Sequence, residues 1–414
     1  MDLARKWAPV MAAATAIIVS SCTNMRPQFS STGDTALLKT ELARGAHETD
    51  KGSVESKHSQ NTQIKPKDSQ IQPDQSPHAV TSVTEAQRDF GEALLLKMAG
   101  STADYDAAQT SAHKAFKGQN DYTYDLSGRT LTYSEWNILG EQRFLKTLRL
   151  ARTNLTDERL SRLKNLHYLK ELDISKTRVT DKGISVLKSF PELEKLALEG
   201  IYLSDSSSQV LSTLTNLKDL DISDTGMTDK GISGLTALTQ LKRLRIVHSN
   251  LSNSACRTIA AMTQLQKLDL YRTKVDDRLA IFAPLTHLTD LRLKETSITD
   301  AGLDTVAHFP LLEDLDLNGN PRVHDEGVQK LRGLKHLLWI GLGGTSITDK
   351  SLDVVANFST LVDLGARNSA IDDGNLLALT ALKNLRFVHL EGSRVTSKGR
   401  KDLQERMPHV RLFY

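Results

Sequence analysis

Cysteine is scarce in this sequence, and neither sign of charge predominates. The 414 residues include two cysteines, Cys22 and Cys256, so widely separated that we expect no disulfide framework. The 53 basic and 50 acidic side chains leave a formal net charge of +3. This balance gives no reason to expect nucleic acid or a strongly charged partner.

The short motifs of common enzymes and metal sites are also missing. The sequence contains no His-Glu-x-x-His, no Cys-x-x-Cys, no Walker loop and no Gly-x-Ser-x-Gly. The glycines Gly341, Gly343 and Gly344 fall on a predicted strand instead of a strand-to-helix turn, so we do not expect them to cradle a phosphate. We therefore predict that the protein is not an enzyme and has no catalytic residue, cofactor or metal site.

No apolar run at the N-terminus is long enough to form a stable membrane-spanning helix. Arg5 and Lys6 precede an apolar stretch over residues 8–19, which is too short for that purpose. The stretch leads into Val-Ser-Ser-Cys, ending at Cys22, which resembles a bacterial lipobox. The resemblance implies that residues 1–21 are a signal peptide and that Cys22 is lipidated. The alternative is an ordinary secretory signal that happens to contain a cysteine.

Two further segments precede the regular part of the chain. Residues 22–80 are rich in polar side chains and poor in periodic apolar ones, so we predict a disordered tether spanning roughly 40–45 Å. Residues 81–121 show helical apolar spacing after a possible capping box at Ser82-Val83-Thr84-Glu85. We predict a helical N-terminal cap there; a protein-binding helical hairpin is the alternative.

From residue 122 to residue 414 one pattern recurs. Its clearest copy, Leu169–Glu192, joins an L-x-x-L-x-I stretch of period 2, typical of a short strand, to apolar residues at every third position, typical of a helix or 3₁₀ turn. The spacing of the strands is 24 residues nearly throughout, with 23 before Leu291, 25 before Ile340 and 22 at the end. The predicted core pairs are Tyr124/Leu126, Leu148/Leu150, Leu172/Ile174, Leu196/Leu198, Leu220/Ile222, Leu244/Ile246, Leu268/Leu270, Leu291/Leu293, Leu315/Leu317, Ile340/Leu342, Leu364/Ala366, Val388/Leu390 and Val410/Leu412.

A fixed period in the twenties with L-x-x-L-x-L is the signature of leucine-rich repeats. Together with the T-x-[IV]-T-D-x-G-[IL] stretch, it resembles a bacterial leucine-rich repeat protein of the ribonuclease-inhibitor-like type. The resemblance implies an α/β solenoid with a parallel sheet on the concave face and short helices on the convex face. It also implies a role in binding, without shared catalytic residues.

One polar position recurs after each strand, and one cysteine falls within the repeats. We expect the polar residues to be helix N-caps, because a short side-chain oxygen can accept an N–H of the first helical turn. We expect Cys256 to lie in the core. The repeated polar position is occupied by Asp157, Asp181, Asp205, Asp229, Asn253, Asp277, Asp300, Asp325, Asp349, Asp373 and Ser397.

The residue between the two core positions of each strand should point out of the sheet. From Asp221 to Asp316 the charge of the side chain at this position alternates in sign from strand to strand. This favours a row of charges that pair with one another over a charged docking surface. The column comprises Arg149, Asp173, Ala197, Asp221, Arg245, Asp269, Arg292, Asp316, Gly341, Gly365, His389 and Arg411.

The C-terminal third of the repeats differs, and we predict the ligand-binding patch there. Trp339 and Phe387 should project outward, and an exposed aromatic beside bare backbone suits a flat ligand, a sugar ring or a partner's loop. The alternative is that Trp339 packs against its neighbours as a lid and the glycines only relieve crowding. The predicted patch comprises Trp339, Phe387, His389, Arg367, Gly341, Gly343 and Gly344.

These patterns together predict a monomeric, lipid-anchored protein of the cell envelope that binds a protein or cell-wall ligand. Because Thr23 and not Asp follows Cys22, the lipobox resemblance implies the outer membrane rather than the inner one. The alternative function is an exported effector that acts as a protein-interaction adaptor in a host cell.

Overall fold

The computed structural model describes residues 122–131 and 133–414. The predicted signal peptide, Cys22, the tether and the helical cap therefore lie outside the described residues. Within the described part, no helix combines the length and the apolarity that crossing a bilayer would require.

A single parallel sheet of 13 strands runs through this part of the chain, with the strands in sequence order. Each strand is three residues long, and its central apolar residue pairs with the equivalent residue of the next strand, as Leu148 does with Leu172. The predicted parallel sheet is confirmed. The strands are β1 (Thr123–Asp125), β2 (Thr147–Arg149), β3 (Glu171–Asp173), β4 (Lys195–Ala197), β5 (Asp219–Asp221), β6 (Arg243–Arg245), β7 (Lys267–Asp269), β8 (Asp290–Arg292), β9 (Asp314–Asp316), β10 (Trp339–Gly341), β11 (Asp363–Gly365), β12 (Phe387–His389) and β13 (Arg411–Phe413).

Short helical segments return the chain from one strand to the next. Their apolar stripe is buried, as Ile184, Leu187 and Phe190 show. The α-helices are α1 (Tyr133–Gly140), α2 (Asp157–Ser161), α3 (Asp181–Ile184), α4 (Ser208–Leu211), α5 (Asp229–Ser233), α6 (Asn253–Ala260), α7 (Leu303–Val306), α8 (Asp325–Lys330), α9 (Leu352–Val355) and α10 (Ser397–Arg406). The 3₁₀ segments are Ser185–Ser189, Asp205–Ser207, Arg278–Phe282, Leu331–Gly333, Asp349–Ser351 and Leu376–Ala381.

The predicted register holds except at the last strand. Leu268 pairs with Leu291 and Leu315 with Ile340, so the irregular spacings of 23 and 25 are confirmed. Val388, however, pairs with Leu412, so the final core pair was placed two residues too early. A shift of two residues keeps the same side chains on the same face of a strand, so apolar alternation alone could not distinguish the two registers.

A left-handed residue follows each of the first twelve strands. At this position the backbone φ lies between 50° and 74°, the region that favours glycine. Several repeats hold the conformation without glycine, as Arg152 and His248 do. The position is occupied by Gly128, Arg152, Lys176, Gly200, Asp224, His248, Arg272, Glu295, Gly319, Gly344, Asn368 and Gly392.

The predicted role of the repeated aspartates is wrong. The N-cap of a typical repeat is the preceding residue: the Thr180 hydroxyl oxygen accepts the Lys182 N–H at 3.3 Å, and Asp181 is the first helical residue. The same preceding position supplies the capping side chain at Thr156, Thr180, Ser204, Thr228, Ser252, Thr348 and Thr396.

The aspartate instead joins its repeat to the next one. Asp205 accepts hydrogen bonds from the Thr228 N–H at 2.7 Å, the Thr228 hydroxyl at 2.8 Å and the Gly231 N–H at 2.9 Å. A Cβ at Gly231 would lie 2.6 Å from the same carboxylate, so the glycine of the T-D-x-G pattern makes room for it. The pKa of Asp205 is lowered, because hydrogen bonds from Thr228 and Gly231 outweigh the effect of burial, which alone would raise it.

Candidate functional site

Side chains on the solvent side of the sheet form three rows. The first row precedes the central core residue of each strand, the second row follows that residue, and the third row lies two residues further on. At β10, for example, these positions are Trp339, Gly341 and, beyond the end of the strand, Gly343. We call this surface the sheet face.

Charges on the sheet face are paired along the earlier strands. Arg245 lies 2.7 Å from Asp221 and 3.5 Å from Asp269, its neighbours on either side in the second row. In the first row, Glu171 lies 2.5 Å from Lys195. The predicted row of paired charges is confirmed for these strands, and such pairing leaves little net field for a ligand.

The pairing stops at β9–β11. The first two rows of these three strands hold Asp314, Asp316, Trp339, Gly341, Asp363 and Gly365. This stretch of the sheet face therefore carries three carboxylates and no cationic side chain in those rows. It is the largest departure from the repeating charge pattern that the described strands show.

Trp339 lies on the sheet face with its ring folded along the strand. Ile340, the central residue of β10, is fully buried, whereas Trp339 is half-buried. A Cβ at Gly341 would lie 2.7 Å from Cη2 of the indole, so the ring occupies the space that a side chain at 341 would need. The indole is therefore laid over bare backbone instead of standing free beside it.

The other two glycines of the predicted patch, Gly343 and Gly344, have roles in backbone conformation and backbone hydrogen bonding. Gly344 occupies the left-handed position, with φ of 65°. The Gly343 N–H donates to Asn318 Oδ1 at 2.6 Å, so this peptide group is already used. Gly365, on the neighbouring strand β11 and outside the predicted patch, is different, because a Cβ there would make only ordinary contacts, at 3.5 Å or more.

Arg367 and His389 are held in a network of their own. Arg367 Nη2 donates to His389 Nδ1 at 3.0 Å, and Arg367 Nε donates to Glu391 at 3.0 Å. Because a guanidinium can only donate, the proton of the neutral imidazole sits on Nε2, which lies 3.4 Å from Asp363 Oδ1. His389 is 7% exposed and stacks on Phe413 with ring centroids 4.4 Å apart.

The structure thus divides the predicted patch into two parts. Trp339, Gly341, Gly343 and Gly344 lie on one strand and its following turn, whereas Arg367 and His389 belong to the network on β11–β13. Phe387 is half-buried in the first row, two strands from Trp339.

Two carboxylates on the strands that flank Trp339 were missed by the sequence analysis. Asp314 and Asp363 pair in register with Trp339 from either side. Writing out the first row of outward positions, in addition to the second, would have revealed both. In each of them Oδ1 is buried and accepts no hydrogen bond.

Burial perturbs the acids on β9. It raises the pKa of Asp314 to about 6, with a further contribution from the nearby charge of Asp290. Burial also raises the pKa of Asp316 to about 6, although hydrogen bonds from Asn318 act in the opposite direction. These side chains keep a carboxylate where water is partly excluded, which is a common feature of binding sites.

Within the described residues, Cys256 is buried and the clustered acids form no metal-binding group. Cys256 is 1% exposed, as predicted for a core residue, and burial raises the pKa of its thiol to about 12. Between residues 122 and 414, leaving out residue 132, no group of three or more His, Cys, Asp or Glu side chains is arranged to hold a metal ion.

Comparison with known proteins agrees with this architecture. Residues 137–338 match a family model described as a leucine-rich repeat region. An internalin from Listeria monocytogenes is 21% identical, with a TM-score of 0.54, and the match covers 73% of this chain and 88% of that one. A leucine-rich repeat protein from Leptospira interrogans is 18% identical, with a TM-score of 0.41, covering 70% of this chain and 89% of that one. None of the curated proteins is significantly similar to the chain.

The fold is therefore a leucine-rich repeat solenoid. Its parallel sheet lines the concave face, and its short helices lie on the convex side. Extended faces of this kind are suited to binding other proteins.

Proposed function

We propose that this protein is a lipid-anchored component of a bacterial cell envelope, and that its sheet face binds a protein or cell-wall ligand. The observation that carries the binding role is the change at β9–β11. Earlier strands pair charges within the sheet face, whereas these strands combine an aromatic ring and bare backbone with two carboxylates whose Oδ1 atoms accept no hydrogen bond. Tryptophan is over-represented among binding hot spots.

The proposed anchor is Cys22, preceded by a basic segment, a short apolar run and small residues. Two or three acyl chains would satisfy the requirement that stable membrane anchoring takes more than one. The polar segment 22–80 would then hold the repeats away from the bilayer. Thr23 supports placement in the outer membrane.

Metabolic labelling with a fatty-acid analogue tests the anchor directly. We expect the wild-type protein to incorporate the label, and Cys22→Ala to remain as an unlabelled precursor of lower mobility in a gel. The control is Cys256→Ala, which removes the other cysteine and should label normally. Equal labelling of Cys22→Ala would contradict the lipoprotein proposal, and a soluble, cleaved, unlabelled wild-type product would favour the exported effector. Protease added to intact cells then reports which side of the membrane the repeats face.

A further inference from the structure

An aromatic ring flanked by carboxylates occupies the sheet face at β9–β11. Trp339 has Asp314 beside it on one neighbouring strand and Asp363 on the other, in direct register. Neighbouring strands are about 4.8 Å apart, so both acidic residues are carried by the backbone directly beside that of Trp339. We call Asp314, Asp316, Trp339, Asp363 and Gly365 the Trp339 patch.

Within the described residues, neither Asp314 nor Asp316 makes a close ion pair of the kind that joins Asp221 and Asp269 to Arg245. Oδ1 of Asp314 accepts no hydrogen bond, and neither does Oδ1 of Asp363, a residue that is only 5% exposed. His389 Nε2 lies 3.4 Å from Asp363 Oδ1 but makes no hydrogen bond of good geometry with it. In contrast, Asp221 is in contact with the Arg245 guanidinium at 2.7 Å. Buried acceptors without a partner are unfavourable, and a ligand that supplies positive charge would offset that cost.

A cation is the ligand that suits both components of the patch. The face of an indole ring carries negative potential and attracts an ammonium or guanidinium group placed above it. The carboxylates of Asp314 and Asp363, on the strands to either side, add to this attraction. Their buried Oδ1 atoms cannot touch the ligand, but their charge still attracts a cation because the surroundings have a low dielectric constant. We infer that the Trp339 patch binds a lysine or arginine side chain presented by a protein partner, an inference that rests on the proposed binding role of the sheet face.

The open shape of the surface favours a side chain on a protein over a free small cation. The patch lies on the sheet face, where Trp339, Asp314 and Gly365 are half-buried, so a free cation there would keep part of its hydration and make few contacts. A side chain belonging to a partner is held in place by the contacts that the partner makes with neighbouring strands. Gly365 has no side chain, so the backbone of a partner's loop can approach the sheet next to β10.

Titration calorimetry on the full chain at low ionic strength tests this inference with defined probes. The probes are acetylated, amidated tetralysine and its uncharged counterpart tetraglutamine. We expect the wild type to bind tetralysine more tightly than tetraglutamine. Asp314→Asn and Trp339→Ala should each weaken tetralysine binding by about fivefold or more. The matched control is Asp173→Asn, which removes the same charge from the same face on β3, where the carboxylate already accepts the Ser175 N–H at 2.9 Å; it should change the affinity by less than about twofold.

Asp363→Asn provides a second test on the other side of the ring, and the unfolding midpoint of each variant checks that it is folded. Equal binding of the two peptides by the wild type, or no binding of tetralysine, would overturn the inference. An equal loss in Asp173→Asn and Asp314→Asn would do the same, because it would indicate general attraction between charges. If Trp339→Ala weakens tetraglutamine binding while Asp314→Asn does not, the surface binds without a preference for cations, and only the cation inference fails. The proposed anchor fails by a separate result, the labelling of Cys22→Ala.

Discussion

At the scale of single residues, the repeated aspartates are the most informative feature of the chain. Eight of the nine, all but Asp349, accept hydrogen bonds from the next repeat, as Asp157 does from the Thr180 N–H at 2.8 Å and hydroxyl at 2.7 Å. Neighbouring repeats are thus joined through side chains in addition to the sheet and the apolar core. The row of acids contributes to stability and needs no catalytic explanation.

Asp205 allows this role to be measured. Asp205→Ala leaves two N–H groups and a hydroxyl without their acceptor, so we expect a loss of roughly 1–3 kcal/mol in the free energy of unfolding. Asp205→Asn keeps one acceptor oxygen and should lose less. Urea denaturation followed by circular dichroism provides the measurement. If the two variants were equally destabilised, hydrogen bonding to the next repeat would not be the stabilising contribution.

Unlike the Asp205 carboxylate, the ionised Asp314 carboxylate should destabilise the folded protein, because burial raises its pKa to about 6. The folded protein then binds a proton more readily than the unfolded chain, in which an Asp has a pKa of about 3.9. Stability therefore falls as the pH rises from about 4 through 6, and the ionised side chain is unfavourable at neutral pH. Asp290 and Glu313 reinforce this effect, whereas Arg292 and Lys267 oppose it.

Asp314→Asn should accordingly stabilise the protein by about 1–2 kcal/mol at pH 7.5 and have little effect at pH 4. Thermal unfolding of the variant and the wild type at both pH values checks the sign. Asp173→Asn is again the matched control on the sheet face. If Asp314→Asn were less stable than the wild type at pH 7.5, the ionised Asp314 carboxylate would be stabilised by a contact other than those described here.

At the scale of an element, the short helices are shaped by their neighbours in the stack. Glycine within a helix is ordinarily unfavourable, and replacing it with alanine ordinarily stabilises by up to about 1 kcal/mol. In α5, however, a Cβ at Gly231 would meet Asp205 Oδ1 at 2.6 Å and Met227 Cε at 3.0 Å. The glycine is required by the preceding repeat and not by its own helix.

The sign of the Gly231→Ala effect tests this explanation. We expect a destabilisation of roughly 1–3 kcal/mol, since the added methyl group must displace the carboxylate from its hydrogen bonds. Gly333→Ala is the control, because a Cβ there would have no atom within 4 Å, and this variant should be neutral or slightly more stable. Denaturation midpoints of the two variants give the comparison, and a stabilised Gly231→Ala would refute the packing argument.

At the scale of the whole molecule, each repeat buries its apolar stripe against the repeats beside it. The central apolar residues of β2–β12 are almost fully buried, from Leu148 to Val388. Stability in such a stack comes from contacts between neighbours, so the repeats should resist attack as a unit. The proposed polar tether has no comparable apolar pattern.

Limited proteolysis of the full chain should therefore separate the two regions. We expect trypsin to cut first within residues 22–80 and to leave a resistant fragment that contains residues 122–414. Mass spectrometry of the time course identifies the cleavage sites. Early cleavage between the strands of the sheet, before any in the polar segment, would contradict the proposed organisation.

Local patterns in the sequence determined the fold of this protein. The paired apolar residues established the solenoid, the parallel sheet and even the irregular spacings before Leu291 and Ile340, because each strand carries its own period-2 signal. What depends on contacts between repeats was decided only by the tertiary structure. The partner of Asp205 lies 23 residues further along the chain, and no local pattern distinguishes a helix cap from a bond to the next repeat. The same holds for Trp339, whose position over Gly341 and between Asp314 and Asp363 arises only when neighbouring strands are stacked.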